Sequence, residues 1–291
     1  MRCFFIDSGK RQKNPAGKLL KIIKSAPCLF SVLDFVPDHA MVGESYNFNQ
    51  ESFESYMSSM RLDKFLSEAS SYSRKEIRNL VRHGLISVDG VIARSPDQKV
   101  NENTPVTIKG IPVKYQKYIY LMLNKPAGYL SATEDDRDPV VTDLVPEQWR
   151  HFKVFPVGRL DKDTEGLLLL TNDGQFDHAL MSPKKNLYKR YYAELSAPAD
   201  SDDVQAFREG MALQDFTAKP AKLELTPEDP SKVYVEIAEG KYHQVKRMCS
   251  KRGKEVLYLK RVAIGNLLLD QTLSPGQMRE LTEAELALFT F

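Results

Sequence analysis

Three carboxylates lie close together in residues 158–166, which read GRLDKDTEG and lead directly into the apolar run 167–170. They are Asp161, Asp163 and Glu165. Because a buried strand fixes the loop that enters it, polar side chains on such a loop are well placed for catalysis. Two carboxylates near each other suit the cleavage of a glycosidic bond. An ordinary acidic loop fits the same residues, and spacing alone favours that simpler interpretation.

A strongly basic segment follows later in the chain, at residues 241–261. Its only acid is Glu255, and the segment also contains Tyr242 and His243, whose rings can stack on nucleic acid bases. Eight basic residues stand in it: Lys241, Lys246, Arg247, Lys251, Arg252, Lys254, Lys260 and Arg261. The segment predicts contact with a polyanion.

A small module with regular helix signals begins at residue 60. Apolar residues first recur at helical spacing, which predicts a helix over 62–69. Ser73 and Glu76 form a capping box, which predicts a second helix that ends at Gly84. Residues 85–92 then read as a strand, an Asp-Gly turn and a second strand.

The second helix of this module carries a basic face. Arg74, Arg78 and Arg82 recur every four residues and have no acids at i±4, so we expect them to remain without counter-charges. A solvated helix face is the usual meaning of such a run, but this face also suits a phosphate backbone. The predicted RNA-binding residues are Arg61, Lys64, Arg74, Lys75, Arg78 and Arg82.

The remaining sequence predicts a linker and a larger α+β domain. Residues 110–117 contain Gly, Pro and Lys and indicate the linker. Later strand-like segments lack regular βαβ spacing, which favours a mixed sheet. The predicted strands are 118–123, 167–170 (closed by a turn at 172–174), 191–195 and 233–237, and the predicted helices are 243–252 and 282–288.

Composition excludes several classes of protein. The chain has 291 residues, 42% of them hydrophobic, and a formal net charge of +2, so its total charge indicates no partner. No apolar run approaches the 18 or so residues of a membrane span. Cys3, Cys28 and Cys249 are too widely spaced for a disulfide scaffold or a CxxC site.

Residues 1–59 differ from the rest of the chain. The first 24 contain seven basic residues and one acid, and no periodic pattern follows. A signal peptide fits poorly, because the apolar stretch lies far from the start and is interrupted. We expect either a disordered leader or a true start of the protein at Met60.

Segments in order across residues 60–291 resemble the RsuA family of bacterial ribosomal RNA pseudouridine synthases. Residues 60–66 (MRLDKFL) and 73–90 resemble the RNA-binding module named after small-subunit ribosomal protein S-four. The segment 158–174 (GRLDKDTEGLLLLTNDG) is similar to the family signature GRLDxxTxGLLLLTNDG. The other matching segments are LNKPAGY (123–129), KRYYAEL (189–195), EGKYHQVKRM (239–248), LKR (259–261) and PGQMRELT (275–282).

The resemblance implies a fold and a reaction. The implied fold is α+β: an S-four-type module over 60–109, a linker over 110–117, and a catalytic domain over 118–291 with a mixed, mainly antiparallel sheet. Pseudouridine formation breaks the bond from ribose C1′ to uracil N1, turns the base and rejoins it through C5. Since this isomerisation needs no net redox change and no energy input, we expect no cofactor and no metal.

The resemblance also implies which residues act. Asp161 is the implied catalytic carboxylate, as a nucleophile at the sugar or the base, or as a base at C2′. Lys246 is the implied ion-pair partner that keeps a desolvated carboxylate ionised. Tyr191 would pack on the target uracil, and Arg159 would contact phosphate or fill the gap left by the flipped base. Asp163 occupies a variable position of the signature and is expected to be structural or surface polar. The implied substrate-binding set is Arg159, Tyr191, Gln244, Lys246 and Arg247.

The Tyr-His pair before Gln244 is similar to the small-subunit enzymes, whereas large-subunit relatives carry Asn-Arg there. We therefore expect the protein to modify one uridine of 16S ribosomal RNA, in free RNA or in an assembling small subunit. We also expect it to act as a monomer in the cytoplasm, with no membrane partner. The alternatives are a uridine of 23S RNA, a noncatalytic RNA-binding assembly factor, and a glycosidase or N-ribosyl hydrolase that uses Asp161 with Asp163 or Glu165.

Overall fold

The computed structural model describes residues 59–182 and 187–289, which belong to one compact unit of the chain. The predictions made for the leader lie outside the described residues, apart from Ser59. The described part begins with the small module, and the larger domain follows it.

The module contains two helices that pack on a four-stranded antiparallel sheet. Helix α2 begins with the predicted capping box: Ser73 accepts from the Glu76 backbone N–H, and the Glu76 carboxylate accepts from the Ser73 backbone N–H. Leu62, Phe65 and Ile77 are fully buried in the module's own hydrophobic core. The elements are β1 (Met60–Arg61), α1 (Leu62–Ala69), α2 (Arg74–Arg82), β2 (Ile86–Val88), β3 (Val91–Ile92), β4 (Lys99–Val100), β5 (Val106–Ile108) and β6 (Ile111–Val113). The sheet order is β3-β2-β5-β6, and β1 pairs with β4 separately.

The prediction of a linker over 110–117 is wrong for its first part. Ile111–Val113 is a strand that pairs antiparallel with Val106–Ile108, with Ile108 opposite Ile111. Lys109 and Gly110 both have positive φ angles, 52° and 80°, as the two central residues of a tight hairpin turn require. Pro112 is tolerated here because β6 is an edge strand.

The larger domain is built on a mixed, mainly antiparallel nine-stranded sheet, as the resemblance implied. Its main path is β13-β14-β10-β15-β9-β7-β17, in which only β15 and β9 run parallel. Strand β8 also pairs with β9, and β16 pairs with β15. The strands are β7 (Tyr120–Lys125), β8 (Phe155–Val157), β9 (Glu165–Thr171), β10 (Lys189–Leu195), β13 (Lys222–Leu225), β14 (Lys232–Ile237), β15 (Val256–Ile264), β16 (Leu267–Leu268) and β17 (Met278–Glu280), with the separate pair β11 (Met211–Ala212) and β12 (Thr217–Ala218).

Strands β7 and β9 lie at the centre of the domain and are buried on both faces. Because successive side chains of a strand point to opposite faces, Leu168 and Leu170 enter one hydrophobic core while Leu167 and Leu169 enter another. All four side chains are at most 1% exposed. This double burial makes β9 a rigid support for the loop that precedes it.

The helices of the larger domain confirm two predictions and correct one. Helix α6 begins after His243, and α7 begins with the predicted capping box of Thr282 and Glu285. The predicted turn at 172–174 is instead a helix start, because the Asp173 side chain accepts from the backbone N–H groups of the next turn. The helices are α3 (Glu147–Arg150), α4 (Gly174–Met181), α5 (Ser201–Glu209), α6 (Gln244–Lys251) and α7 (Glu283–Ala287), with a short 3-10 helix at Val141–Leu144.

Candidate active site

The loop before β9 is fixed from both sides. The Ser131 hydroxyl donates to the Leu160 carbonyl over 2.9 Å and accepts from the Leu160 N–H over 3.0 Å. One residue further on, the Asp161 carbonyl accepts from the Thr164 N–H over 3.1 Å, which closes a turn. At the start of β9, an added Cβ on Gly166 would lie 2.2 Å from the Arg261 carbonyl oxygen, so only glycine allows this close strand approach. The Asp161 backbone is therefore held on a rigid base.

Lys125 supports the same loop from beneath. Its side chain is completely buried, and its Nζ donates to the carbonyl oxygens of Pro126, Lys162 and Thr164 over 3.0, 3.2 and 2.8 Å. Burial lowers the pKa of Lys125 to about 8, and the nearby carboxylates Asp163 and Asp161 oppose this shift. Its three hydrogen bonds fix the backbone on both sides of Asp163.

The Asp161 carboxylate lies in a cavity of about 480 Å³, beside two groups from the start of α6. Lys246 Nζ is 3.5 Å from Oδ2, and His243 Nε2 is 3.6 Å from Oδ1. The Asp161 side chain is 27% exposed, so it is sheltered but open to a bound molecule. The proximity of Asp161 and Lys246, which the resemblance implied, is present in the structure.

The five residues expected to bind substrate are not equivalent. Arg159 and Tyr191 line the cavity with Asp161, and Tyr191 is 8% exposed in the wall. Gln244 also lines the cavity, but its side-chain amide is already hydrogen-bonded within the protein. The amide oxygen accepts from the Lys241 N–H over 3.1 Å, and the amide nitrogen donates to Glu239 over 3.1 Å.

Arg247 does not line this cavity. Its guanidinium pairs with Asp215 and lies 4.9 Å from the ring centroid of Phe216. Since the guanidinium is held by these two residues, the structure gives Arg247 a packing role, and this part of the expected set is not brought to the site.

Asp163 is more engaged than its variable position suggested. Asp163 Oδ1 lies 2.6 Å from Lys246 Nζ, which is closer than the 3.5 Å between Asp161 Oδ2 and the same nitrogen. The Asp163 side chain is nevertheless 74% exposed. Partial burial raises the pKa of Asp163, but the hydrogen bond and charge of Lys246 outweigh this effect and leave the pKa below its ordinary value. Lys246 is therefore shared between two carboxylates.

Half of the cations in the basic segment 241–261 pair with carboxylates of the protein itself. Arg252 and Lys254 hold Asp203, which is 1% exposed, over 2.7 and 2.6 Å. Arg261 is buried and donates to the Leu167 carbonyl over 2.7 Å. Together with Lys246 and Arg247, five of the eight cations thus serve contacts inside the molecule.

The basic face of α2 is only partly neutralised. Asp63, buried in the first turn of α1, accepts two 3.0 Å bonds from Arg61 and lies 3.7 Å from Arg78. The expectation that Arg78 lacks a counter-charge is therefore wrong, because Asp63 comes from the other helix rather than from i±4. Lys64 pairs with Glu68 over 3.8 Å on an exposed surface. Within residues 59–182 and 187–289, no carboxylate lies within 4 Å of the exposed cations Arg74, Lys75 and Arg82.

Sequence reasoning gave no role to Lys125 and Ser131, which support the loop of Asp161, and it interpreted His243 as a stacking ring without predicting that it lies beside Asp161. A signal was available for Lys125, because a lysine that directly extends an apolar strand must be buried or end the strand. No local signal marked Ser131, which meets Leu160 from 29 residues away.

The described part of the chain brings together no three His, Cys, Asp or Glu side chains in a group suited to a metal ion. Its helices are all too short or too polar to cross a bilayer. The fold and site thus define an enzyme domain with one sheltered carboxylate, preceded by a small helical module with an exposed basic face.

Comparisons with known proteins identify the class. The family described as RNA pseudouridylate synthase matches residues 119–251, and the S4 domain matches residues 60–106. An RNA pseudouridine synthase of Bacillus subtilis is 47% identical over 233 residues, which are 79% of this chain and 98% of the relative. The ribosomal small subunit pseudouridine synthase A of Escherichia coli is 40% identical over 234 residues, or 78% of this chain and 99% of the relative.

A solved structure supports the same assignment. The crystal structure of a pseudouridylate synthase has 34% sequence identity and a TM-score of 0.56, and it covers 79% of this chain and 100% of its own. The chain belongs to the RNA pseudouridine synthase family, and it is an isomerase of uridine in RNA.

Proposed function

We propose that this protein converts one uridine of 16S ribosomal RNA to pseudouridine, with Asp161 as its catalytic carboxylate. The observation that carries the proposal is the position of Asp161 in a cavity that also presents Lys246, Tyr191 and Arg159. A cavity of this size suits a flipped nucleotide. The Escherichia coli relative, of whose length this chain covers 99%, is named for the small ribosomal subunit and supports ribosomal RNA as the substrate.

The geometry supports a division of labour around the flipped nucleotide. Attack on C1′, attack on the base and proton removal from C2′ all require an ionised Asp161 oxygen that faces the nucleotide. Lys246 Nζ, 3.5 Å away, places a positive charge beside that oxygen. The Tyr191 ring, in the cavity wall, offers an apolar surface for the uracil. The broken C1′–N1 bond is replaced by a C1′–C5 bond, and the proton on C5 is lost as N1 gains one.

The contacts of the other two carboxylates oppose the hydrolase alternative. A glycosidase needs a second carboxyl group that faces the scissile bond. Asp163 pairs with Lys246 and does not line the cavity, and Glu165 accepts a 2.7 Å hydrogen bond from the Tyr258 hydroxyl. Since neither is directed at the cavity with Asp161, an isomerase that uses one carboxylate fits better.

The choice of 16S over 23S RNA rests on the similarity to the small-subunit enzyme of Escherichia coli. An enzyme with this substrate acts in the cytoplasm, where the small ribosomal subunit assembles. Recognition of a ribosomal uridine depends on RNA shape and on unpaired bases, to which the exposed face of α2 can contribute phosphate contacts.

The test is to incubate the purified protein with separate 16S and 23S transcripts and to map pseudouridine in both, with Asp161→Asn as the inactive control. We expect a single new pseudouridine in 16S RNA, and the same site to be lost from a deletion strain. A new pseudouridine only in 23S RNA would mean that 23S RNA, and not 16S RNA, is the substrate. Release of free uracil would instead support the hydrolase, and no change in either RNA would contradict the proposed function.

A further inference from the structure

We propose that the stacked rings of Tyr242 and His243 form a binding site for one RNA base next to the target uridine. This inference rests on the proposed function, because it places the neighbouring nucleotide at the rim of the cavity that holds Asp161. The two rings line the rim of that cavity, beside the space where the target base would enter.

The two rings form an open platform. Their centroids are 3.8 Å apart and their planes differ by 19°, so His243 covers one face of the Tyr242 ring. Tyr242 is nevertheless 74% exposed, which leaves its other face open to solvent. A flat, exposed aromatic face is what an unpaired base stacks on, whatever its sequence.

The platform is joined directly to the catalytic carboxylate. His243 Nε2 lies 3.6 Å from Asp161 Oδ1, and both rings line the same cavity as Asp161. The order outward from the site is therefore Asp161, His243, Tyr242. A nucleotide whose neighbour is flipped into the cavity has lost a stacking partner on one side, and the Tyr242 ring replaces that partner.

The backbone holds the platform in place before RNA arrives. His243 adopts the left-handed conformation, with φ 51° and ψ 30°, which is unfavourable for a residue other than glycine and recurs at functional sites. The Gln244 side chain ties the loop to Lys241 and Glu239, and Arg247 Nη1 donates to the Tyr242 carbonyl over 3.5 Å. Because the rings are already ordered, binding a base costs little conformational entropy.

The charge around the platform favours a nucleotide over an apolar partner. The neighbouring Lys241 is exposed, and within residues 59–182 and 187–289 no carboxylate lies within ion-pair distance of it. A cation beside an exposed ring binds the phosphate of the nucleotide whose base stacks on that ring.

The experiment is a double-mutant cycle between the ring and the base. The probe is a short single-stranded RNA with one central uridine, in which an abasic residue replaces the nucleotide on the 5′ or the 3′ side of that uridine. The variants are Tyr242→Leu, which keeps an apolar side chain without a ring, and Tyr242→Phe, which keeps the ring. Tyr188→Leu is the matched control, because Tyr188 is 51% exposed and lines a different cavity.

On intact RNA we expect Tyr242→Leu to weaken binding by roughly 5- to 150-fold, while Tyr242→Phe and Tyr188→Leu bind like wild type. Removing the stacked base should weaken binding to the wild type by a similar factor and add almost nothing to Tyr242→Leu. The inference would be overturned if the abasic residue, on either side of the uridine, weakened the binding of Tyr242→Leu as much as it weakens the binding of the wild type. It would also be overturned if Tyr242→Phe bound RNA as weakly as Tyr242→Leu. Binding is measured separately from product formation, so coupling without any pseudouridine would contradict the proposed function but not the platform.

Discussion

The two basic regions of the molecule differ in where their counter-charges lie. On helix α2, Arg74, Lys75 and Arg82 are exposed, and in the described part of the chain no carboxylate lies within 4 Å of any of them. In segment 241–261, four cations pair with carboxylates and a fifth, Arg261, is buried against a backbone carbonyl. The first region keeps its charge for a partner, whereas the second uses most of its charge to hold the fold and the site.

This difference shows why a count of basic residues does not locate an RNA-binding surface. A cation bound to a buried carboxylate is held in one position, and its positive charge is largely cancelled. A cation without a partner can instead neutralise a phosphate and release counterions. Arg74 also lines a cleft with Lys117 and Lys153, although two acids, Glu68 and Glu102, line the same cleft.

Among the cations of the two regions, the largest expected effect is at Lys246, which lies beside the catalytic carboxylate. We predict that Lys246→Gln lowers the single-turnover rate by about 100-fold or more, since the positive charge 3.5 Å from the catalytic carboxylate is lost. The matched control is Asp163→Asn, which removes the other partner of Lys246 at 2.6 Å. It should retain a rate within about threefold of wild type, because an exposed ion pair contributes little. If both variants lost the same factor in single-turnover rate, the reaction would depend on the ion pair between Lys246 and Asp163 instead of the one between Lys246 and Asp161.

The next effect concerns binding by the module. We predict that changing Arg74, Lys75 and Arg82 to Gln weakens RNA binding by about 10- to 100-fold and lowers the salt slope by roughly two to three units, since each lost phosphate contact removes a little under one unit. The saturated single-turnover rate should remain near wild type. The measurement is RNA binding titrated against salt concentration.

The control for the module variant removes the same amount of charge elsewhere. Arg150, Lys222 and Lys232 each pair with a carboxylate over 3.0 to 3.6 Å on the surface of the larger domain, and their change to Gln should leave the salt slope unchanged. Equal salt slopes for the two triple variants would mean that α2 is merely a solvated face.

The smallest expected effect is on stability. Asp203 is buried between Arg252 and Lys254, and we predict that Asp203→Asn lowers the free energy of unfolding by about 2 kcal/mol at pH 7 without changing RNA affinity. Burial raises the pKa of Asp203, but the hydrogen bonds from Lys254 and Arg252 outweigh this effect and hold the pKa below its ordinary value. Since the folded pKa is lowered, the stabilisation is present above the ordinary aspartate pKa and is lost as the pH falls through the acid range.

Urea unfolding of both proteins at pH 7 and at a pH below 3.8, the ordinary aspartate value, measures this contribution. The gap between wild type and Asp203→Asn should narrow at the lower pH. A variant that keeps full stability but binds RNA less tightly would reverse the roles assigned to the two basic regions.

Local patterns predicted what depends on neighbours in sequence. The capping boxes of α2 and α7, the buried strand β9 and the start of α6 all follow from residues within a few positions of each other. The Asn-Asp-Gly segment before α4 was misread because these residues are common both in turns and at helix starts, and only the next turn decides between them.

Contacts between distant segments could not be predicted in this way. The partner of Lys246 comes from 83 residues earlier, and the partner of Arg247 comes from 32 residues earlier. The proximity of Asp161 and Lys246 was anticipated only through the family resemblance, since periodicity and spacing say nothing about which loop meets which helix. The same limit explains why Asp63 was missed as the counter-charge of Arg78.

The measurement that tests the central claim most directly is single-turnover pseudouridine formation by Asp161→Asn at saturating protein. The amide has nearly the shape of the carboxylate but cannot act as a nucleophile or a base. We predict a rate below about a thousandth of wild type, with unchanged thermal unfolding and RNA affinity. A residual rate above that level in a folded, RNA-binding protein would contradict the assignment of Asp161 as the catalytic group.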